Sequence, residues 1–494
     1  FLLKMAEMVK PTSDENESKS LLNKSDKSSK KWSTFQCFWI ILVLIIVTNL
    51  ATNMDRIVSS FQSDSDTNNN SEFTDEPLSH PSFCQTNYRD NTWLSTGHGD
   101  RNVGQNFASR SPSVSYNGMI AGSQPLITQA GLNILKLGGN AVDAAIAANA
   151  MAGLVEPTGN GIGGDIMLLI HNPEDNKLYG YNGSGKSAKN FSFDDMNSTA
   201  YDINGNGFVP YNGPYPITVP GAVKGWCDIH ERFGRMEWKD LFNDTINKAR
   251  NGFVITQVIG RGFRNAYNSY TSPNRRREIT SNDQYPNALD GWINTYTLDG
   301  ENTPEFGEVF INEGLANSIE AIANGGCDAF YNGELTERMV DTLNSVGSPL
   351  TVADFNEHNG EFVDPINTTY RDDYLVSQLG GNVQGIAVLQ MLNMMELYNF
   401  SNMDIRSKEY IHLNIEIKKL VFADRAIYYG DDNNDDVCVP INELLSKEYA
   451  YERSKLIDPN RAATSVDPGD LNCEQVRFPY HIQNSDTIYL TTAD

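Results

Sequence analysis

Between Val142 and Met151 the chain reads Val-Asp-Ala-Ala-Ile-Ala-Ala-Asn-Ala-Met, a stretch with almost no polar face. A helix that is apolar all round has to be covered on every side, so this segment is expected to be buried. It is preceded by a second helical pattern from Ile127, and Gly138-Gly139-Asn140 separates the two. Glycine is the favoured residue just past a helix end. After Glu156-Pro157 comes a glycine-rich turn, Thr158 to Gly164, and then the strand Ile166–His171. Pro173 to Asn176 supplies turn chemistry and Lys177–Tyr181 returns, which predicts a β-hairpin.

Further on, Ile217 to Arg235 reads as a strand, a Pro-Gly turn and an amphipathic helix. Helices are predicted over Trp238–Phe253, Gly314–Ala323, the apolar Ile386–Leu397 and Glu409–Arg425. The charges of that last helix, His412, Glu416, Lys418, Lys419, Asp424 and Arg425, are assigned to structure and solvation. Gly180-Tyr-Asn-Gly-Ser-Gly-Lys-Ser187 formally matches the phosphate-cradling P-loop pattern. A working P-loop joins a parallel strand to a helix, whereas this one follows a hairpin and opens onto Ala188 to Met196, a poor helix start. A nucleotide site is therefore not expected.

The net charge of −25 argues against nucleic-acid binding, which needs a basic face. Seven scattered histidines and the lack of a Cys-x-x-Cys pair offer no metal constellation, and no cofactor is expected. Residues 1–34 are polar and Lys-rich, and read as a disordered tail. Phe35 to Ala51 is an apolar run of 17 residues, at the short end for a membrane helix. Lys24, Lys27, Lys30 and Lys31 precede it while Asp55, Asp64 and Asp66 follow, so the positive-inside rule places the N-terminus in the cytosol. With no convincing small-x-small cleavage site behind it, the run is expected to be a type II signal-anchor at the plasma membrane. Residues 52–105, rich in Ser, Asn, Asp and Thr, form an extracellular stem in this reading. Beyond the anchor, Asn-x-Ser/Thr sequons at Asn69, Asn182, Asn190, Asn197, Asn243, Asn367 and Asn399 permit glycosylation. Five of the six cysteines lie outside the anchor, an odd number that leaves the pairing open.

An ordered set of blocks from residue 116 to 494 resembles the gamma-glutamyltransferase family, also called glutathione hydrolases. The blocks include Gln129-Ala-Gly-Leu132, Leu137-Gly-Gly-Asn-Ala-Val-Asp-Ala-Ala145, Gly161-Ile-Gly-Gly164, Val219-Pro-Gly-Ala222, His230-Glu-Arg-Phe-Gly234, Asp328-Ala-Phe-Tyr331 and Phe422-Ala-Asp-Arg425. Asn182-Gly-Ser-Gly-Lys186 and Asn382-Val-Gln-Gly385 resemble the bacterial-type branch. Near the end, Asp486-Thr487-Ile488-Tyr489 looks like the family's self-cleavage junction.

The resemblance implies an α/β (α+β) fold, the four-layer αββα sandwich of N-terminal nucleophile hydrolases, with residues 106–486 as large subunit and 487–494 as the start of the small one. It implies cleavage of the Asp486–Thr487 bond, after which Thr487 becomes a nucleophile activated by its own amine. The γ-glutamyl group of glutathione or a related amide would pass to Thr487 and then to water, an amino acid or a dipeptide. The processed large subunit would pair with its own small subunit. Because the sequence stops seven residues after Thr487, the chain as written is expected to be inactive alone. Three departures from the family pattern stand out, the first bearing on substrate affinity or choice and the second removing a hydroxyl beside the nucleophile. Lys186 stands where the family usually has an arginine that grips the substrate α-carboxylate, so the two-pronged hydrogen bonding of a guanidinium is lost. Ile488 replaces a second threonine, and Gly380-Gly381 with Val383 replaces a Pro-Pro pair and a small residue. Two alternatives remain open: a membrane-displayed homologue that binds γ-glutamyl ligands without turnover, and a related acylase acting on other amides.

Overall fold

The computed structural model describes residues 113–192, 212–280, 283–431, 437–471, 473 and 487–494. The tail, anchor and stem segments fall outside these residues, as does Asp486. Among the described residues no helix is long and apolar enough to cross a membrane.

Strand β1, Met119–Ala121, leads into helix α1, Pro125–Lys136, and helix α2, Ala141–Val155. Twelve of the fifteen α2 residues are buried, so the alanine-rich segment is covered nearly all round. One flank packs with Tyr181, Trp226, Phe242, Ile319 and Phe330. The other packs with Ile120, Ile127, Phe253, Phe263 and Phe310. Small side chains let both sets approach the same helix closely.

The start of α2 is fixed by one carboxylate. Asn140 accepts from the Asp143 amide and Asp143 accepts from the Asn140 amide, both at 3.0 Å, which forms a capping box. The same Asp143, fully buried, also accepts the amides of Arg235 and Met236 at 3.1 Å. A buried acceptor with three backbone donors ties α2 to the loop behind the next helix.

The hairpin follows as read: β2, Ile166–Asn172, and β3, Lys177–Gly183, pair antiparallel, and β6, Glu361–Val363, adds to the free edge of β3. Helix α3, Ala222–Phe233, and helix α4, Asn243–Asn251, come next, the latter introduced by a 3-10 turn over Trp238–Phe242. Two corrections arise here. Ile217–Val219 is not a strand: Val219 makes a single backbone bond, to the Lys186 carbonyl at 2.9 Å, and Pro220 has no N–H to extend a ladder. The helix expected to reach Phe253 stops at Asn251, and Phe253–Val254 is instead strand β4, paired with β5, Val309–Phe310.

Helix α5, Glu313–Tyr331, bends at Gly326, whose φ of 64° lies in the left-handed region open to glycine. The bend redirects its last turn, which carries Cys327 and Tyr331. Cys327 is bonded to Cys227 of α3, closing a loop of 100 residues. In the chain-entropy account such a bridge contributes about 4–5 kcal/mol. A second bridge joins Cys438 and Cys473; Cys84 lies outside the described residues.

The C-terminal part holds the hairpin of β7, Ile366–Tyr370, and β8, Tyr374–Gln378, followed by helices α6, Gly385–Met395, α7, Lys408–Tyr428, and α8, Lys447–Ser454. Three of the α7 charges make ion pairs within the fold. Buried Asp424 faces Arg453 of α8 at 3.1 Å, and Glu416 holds Lys419 at 2.7 Å. Finally β9, Thr491–Ala493, pairs antiparallel with β1. Thr492 also donates to the Ala141 carbonyl at the head of α2, at 2.7 Å.

Removing the Asp143 carboxylate leaves three backbone donors without their acceptor, each costing about 1–3 kcal/mol when buried. D143A is therefore expected to lower stability by about 3–5 kcal/mol in urea unfolding. A change below about 1 kcal/mol would contradict this account of the joint.

Candidate active site

Lys186 lies on the turn that leaves β3, and its side chain is exposed. The glycines of the P-loop-like run serve this turn. A Cβ on Gly185 would come 1.9 Å from the Val219 carbonyl oxygen, so backbone lies directly on backbone. The Val219 amide donates to the Lys186 carbonyl at 2.9 Å, and the Gly185 amide donates to Asp165 Oδ1 at 3.0 Å. Ser184 accepts from Asn382 Nδ2 at 2.8 Å, and Asn182 donates to Asn382 Oδ1 at 3.1 Å. The antiparallel strand before the turn, and the absence of a helix directly after it, agree with the rejection of a nucleotide site.

Behind the turn stands a polar cluster that sequence reading did not single out. Tyr331 donates to the Pro220 carbonyl at 2.6 Å and accepts the Lys224 amide at 2.9 Å. Asp228 accepts from the Tyr181 hydroxyl at 2.7 Å and pairs with the Lys224 ammonium. Burial holds the Tyr331 phenol well above its ordinary pKa, so it stays a donor. Tyr331 belongs to one of the blocks behind the resemblance, which is the only trace of it in the sequence. Its partners Pro220 and Lys224 are more than 100 residues away.

His358 is stacked on the Tyr331 ring, with centroids 5.6 Å apart, and is itself buried. Neither ring nitrogen has a hydrogen-bond partner. Burial lowers its pKa; the charges of Lys186 and Lys224 lower it further, while Asp228 opposes them.

Thr487 is exposed and stands four residues ahead of β9. The residues that alternate with it, Ile488 and Leu490, pack against the core that holds Ile120 and the second flank of α2. The isoleucine that departs from the family pattern is thus an apolar anchor beside the threonine. Lys186 follows the β2-β3-β6 sheet and Thr487 precedes the β1-β9 ribbon, and each sheet belongs to a hydrophobic cluster that also contains residues of α2. Among the described residues no group of His, Cys, Asp and Glu is arranged to hold a metal ion.

A three-stranded antiparallel sheet and two-stranded ribbons around a buried helix make a mixed α/β fold, and its likeness to solved acylase and gamma-glutamyltranspeptidase structures places it in the N-terminal nucleophile fold class. Comparison with known proteins makes the assignment specific. A sequence model of the gamma-glutamyltranspeptidase family matches residues 127–494, and the chain belongs to that family. It is 34% identical over 340 residues to the glutathione hydrolase-like YwrD proenzyme of Bacillus subtilis, covering 69% of this chain and 60% of that one. The chain thus spans about three fifths of that relative's length. The fold matches the crystal structure of a cephalosporin acylase from Bacillus halodurans with a TM-score of 0.65 at 33% identity, over 79% of this chain and 66% of that one. It also matches Helicobacter pylori gamma-glutamyltranspeptidase with a TM-score of 0.62 at 24% identity, over 72% of this chain and 97% of that one.

The His358 shift sets a pH dependence. An unfolded histidine takes up its proton near pH 6.5, but the buried, unpartnered ring resists protonation. The folded pKa lies below the unfolded one, so stability falls as pH drops below about 6.5. H358F keeps the stack on Tyr331 and removes this titration. Melting curves from pH 7 to 5 are expected to fall less steeply for H358F than for wild type; parallel curves would contradict the assignment.

Proposed function

We propose that this chain is the precursor of a gamma-glutamyltransferase-like enzyme that cleaves itself at Asp486–Thr487 and then transfers or hydrolyses γ-glutamyl groups. The observation that carries this reading is the setting of Thr487 within the matched family. It is exposed, while its neighbours Ile488 and Leu490 are held in the core and β9 is bonded to β1. A nucleophile needs that combination of access and fixed backbone. Its hydroxyl attacks the carbonyl of Asp486, the peptide nitrogen leaves as the new N-terminal amine, and water then hydrolyses the resulting ester, freeing the Asp486 carboxylate and the Thr487 hydroxyl. That amine then serves as base when the hydroxyl takes a γ-glutamyl group from glutathione or a related amide. Water, an amino acid or a dipeptide accepts the group in the second step.

Lys186 is the ligand of the substrate α-carboxylate in this reading. Its ammonium supplies charge without a planar fork, which weakens discrimination for a free carboxylate. The similarity to the Bacillus halodurans cephalosporin acylase supports a second reading, an acylase acting on other amides through the same threonine. The two bridges, Cys227–Cys327 and Cys438–Cys473, suit an oxidising compartment. They support display of residues 106–494 outside the plasma membrane, on an anchor over 35–51.

The test uses the full reading frame in a secretory host, as wild type and as T487A. Wild type is expected to yield two fragments on a denaturing gel, the smaller beginning at Thr487, and T487A to remain intact. A folded wild-type precursor that never splits would overturn the proposal in favour of a binding homologue. Assay of the cleaved protein on a γ-glutamyl anilide and on an anilide with an uncharged acyl group separates transferase from acylase.

A further inference from the structure

The turn that carries Lys186 is gripped through its backbone by two groups from separate elements. On one side the Lys186 carbonyl accepts from the Val219 amide at 2.9 Å, and the next residue, Pro220, is held through its own carbonyl by the Tyr331 hydroxyl at 2.6 Å. Tyr331 is in turn fixed by the Lys224 amide, by its stack on His358 and by the disulfide four residues earlier in α5. On the other side Asp165, at the entry to β2, accepts the Gly185 amide at 3.0 Å. The residue before it, Gly164, accepts the amides of Gly221 and Ala222 at 3.0 and 2.9 Å and so caps the start of α3. Lys186 itself has a long, rotatable stem that loses much rotamer entropy when it is pinned. A single ammonium can select a carboxylate only if its Cα is placed beforehand, since a lysine lacks the fork that would fix its own orientation.

We propose that the Tyr331 hydroxyl and the Asp165 carboxylate are positioning groups for Lys186, clamping the backbone on either side of it so that its ammonium meets a substrate carboxylate. This rests on the reading of Lys186 as the carboxylate ligand. Neither group touches substrate; each acts through the lysine.

The experiment uses the full reading frame as wild type, Y331F, D165A and K186A, together with the double variants Y331F/K186A and D165A/K186A. L-Glutamate is the probe, with affinity read by calorimetry and folding by melting temperature. Y331F and D165A are each expected to weaken glutamate roughly tenfold, as small misplacements of a binding group do. In the K186A background neither change is expected to weaken it further, because two residues in one chain of action are not additive. Asp165 is exposed, so D165A carries the test even where Y331F folds poorly. Equal losses with and without Lys186 would make the pair a general support and overturn the clamp. Unchanged affinity in Y331F and D165A, with K186A weakened, would also overturn it and leave the carboxylate reading standing. Unchanged affinity in K186A would remove that reading, and the clamp with it.

Discussion

The architecture depends on burying a helix that has almost nothing but methyl groups to offer. Because α2 projects so little, β2-β3-β6 with α3 can press on one flank while β1-β9 and the β4–β5 ribbon press on the other. Close approach of this kind has a cost at the helix start, where orphan amides are carried into the interior. Asp143 meets it with one carboxylate that answers Asn140, Arg235 and Met236 together. The segments that bear the two functional candidates each border a hydrophobic cluster that includes residues of this helix.

Local chemistry was legible in the sequence and distant pairing was not. Gly138-Gly139-Asn140 and the alanine run announced α1 and α2, and Pro173 to Asn176 announced the hairpin. The 217–219 segment misled, because its β-branched residues suit a strand but Pro220 withholds the donor a ladder needs. Nothing local indicates that Phe253 meets Phe310 or that Cys227 meets Cys327, since both contacts are made by chain closure over long loops.

The candidate site shows the same division. Lys186, Asp486 and Thr487 were proposed from ordered motifs, which report family membership rather than geometry. Tyr331, Lys224, Asp228 and His358 form their cluster only when α3, α5 and the segment before β6 come together. Ile488 is instructive in another way. As a sequence departure it read as a lost hydroxyl, yet in the fold its apolar side chain secures the residue beside the threonine.

The ribbon of β1 and β9 has a consequence for the order in which the chain folds. Its closing contact, from Thr492 to Ala141, spans 351 residues, so it is among the most costly loops to close and is expected to form late. In the folded chain the residues beside Thr487 hold their places through that ribbon and its packing on α2. A chain that severs itself at this point would carry its own quality control: the cut would certify that everything between the two strands had found its place.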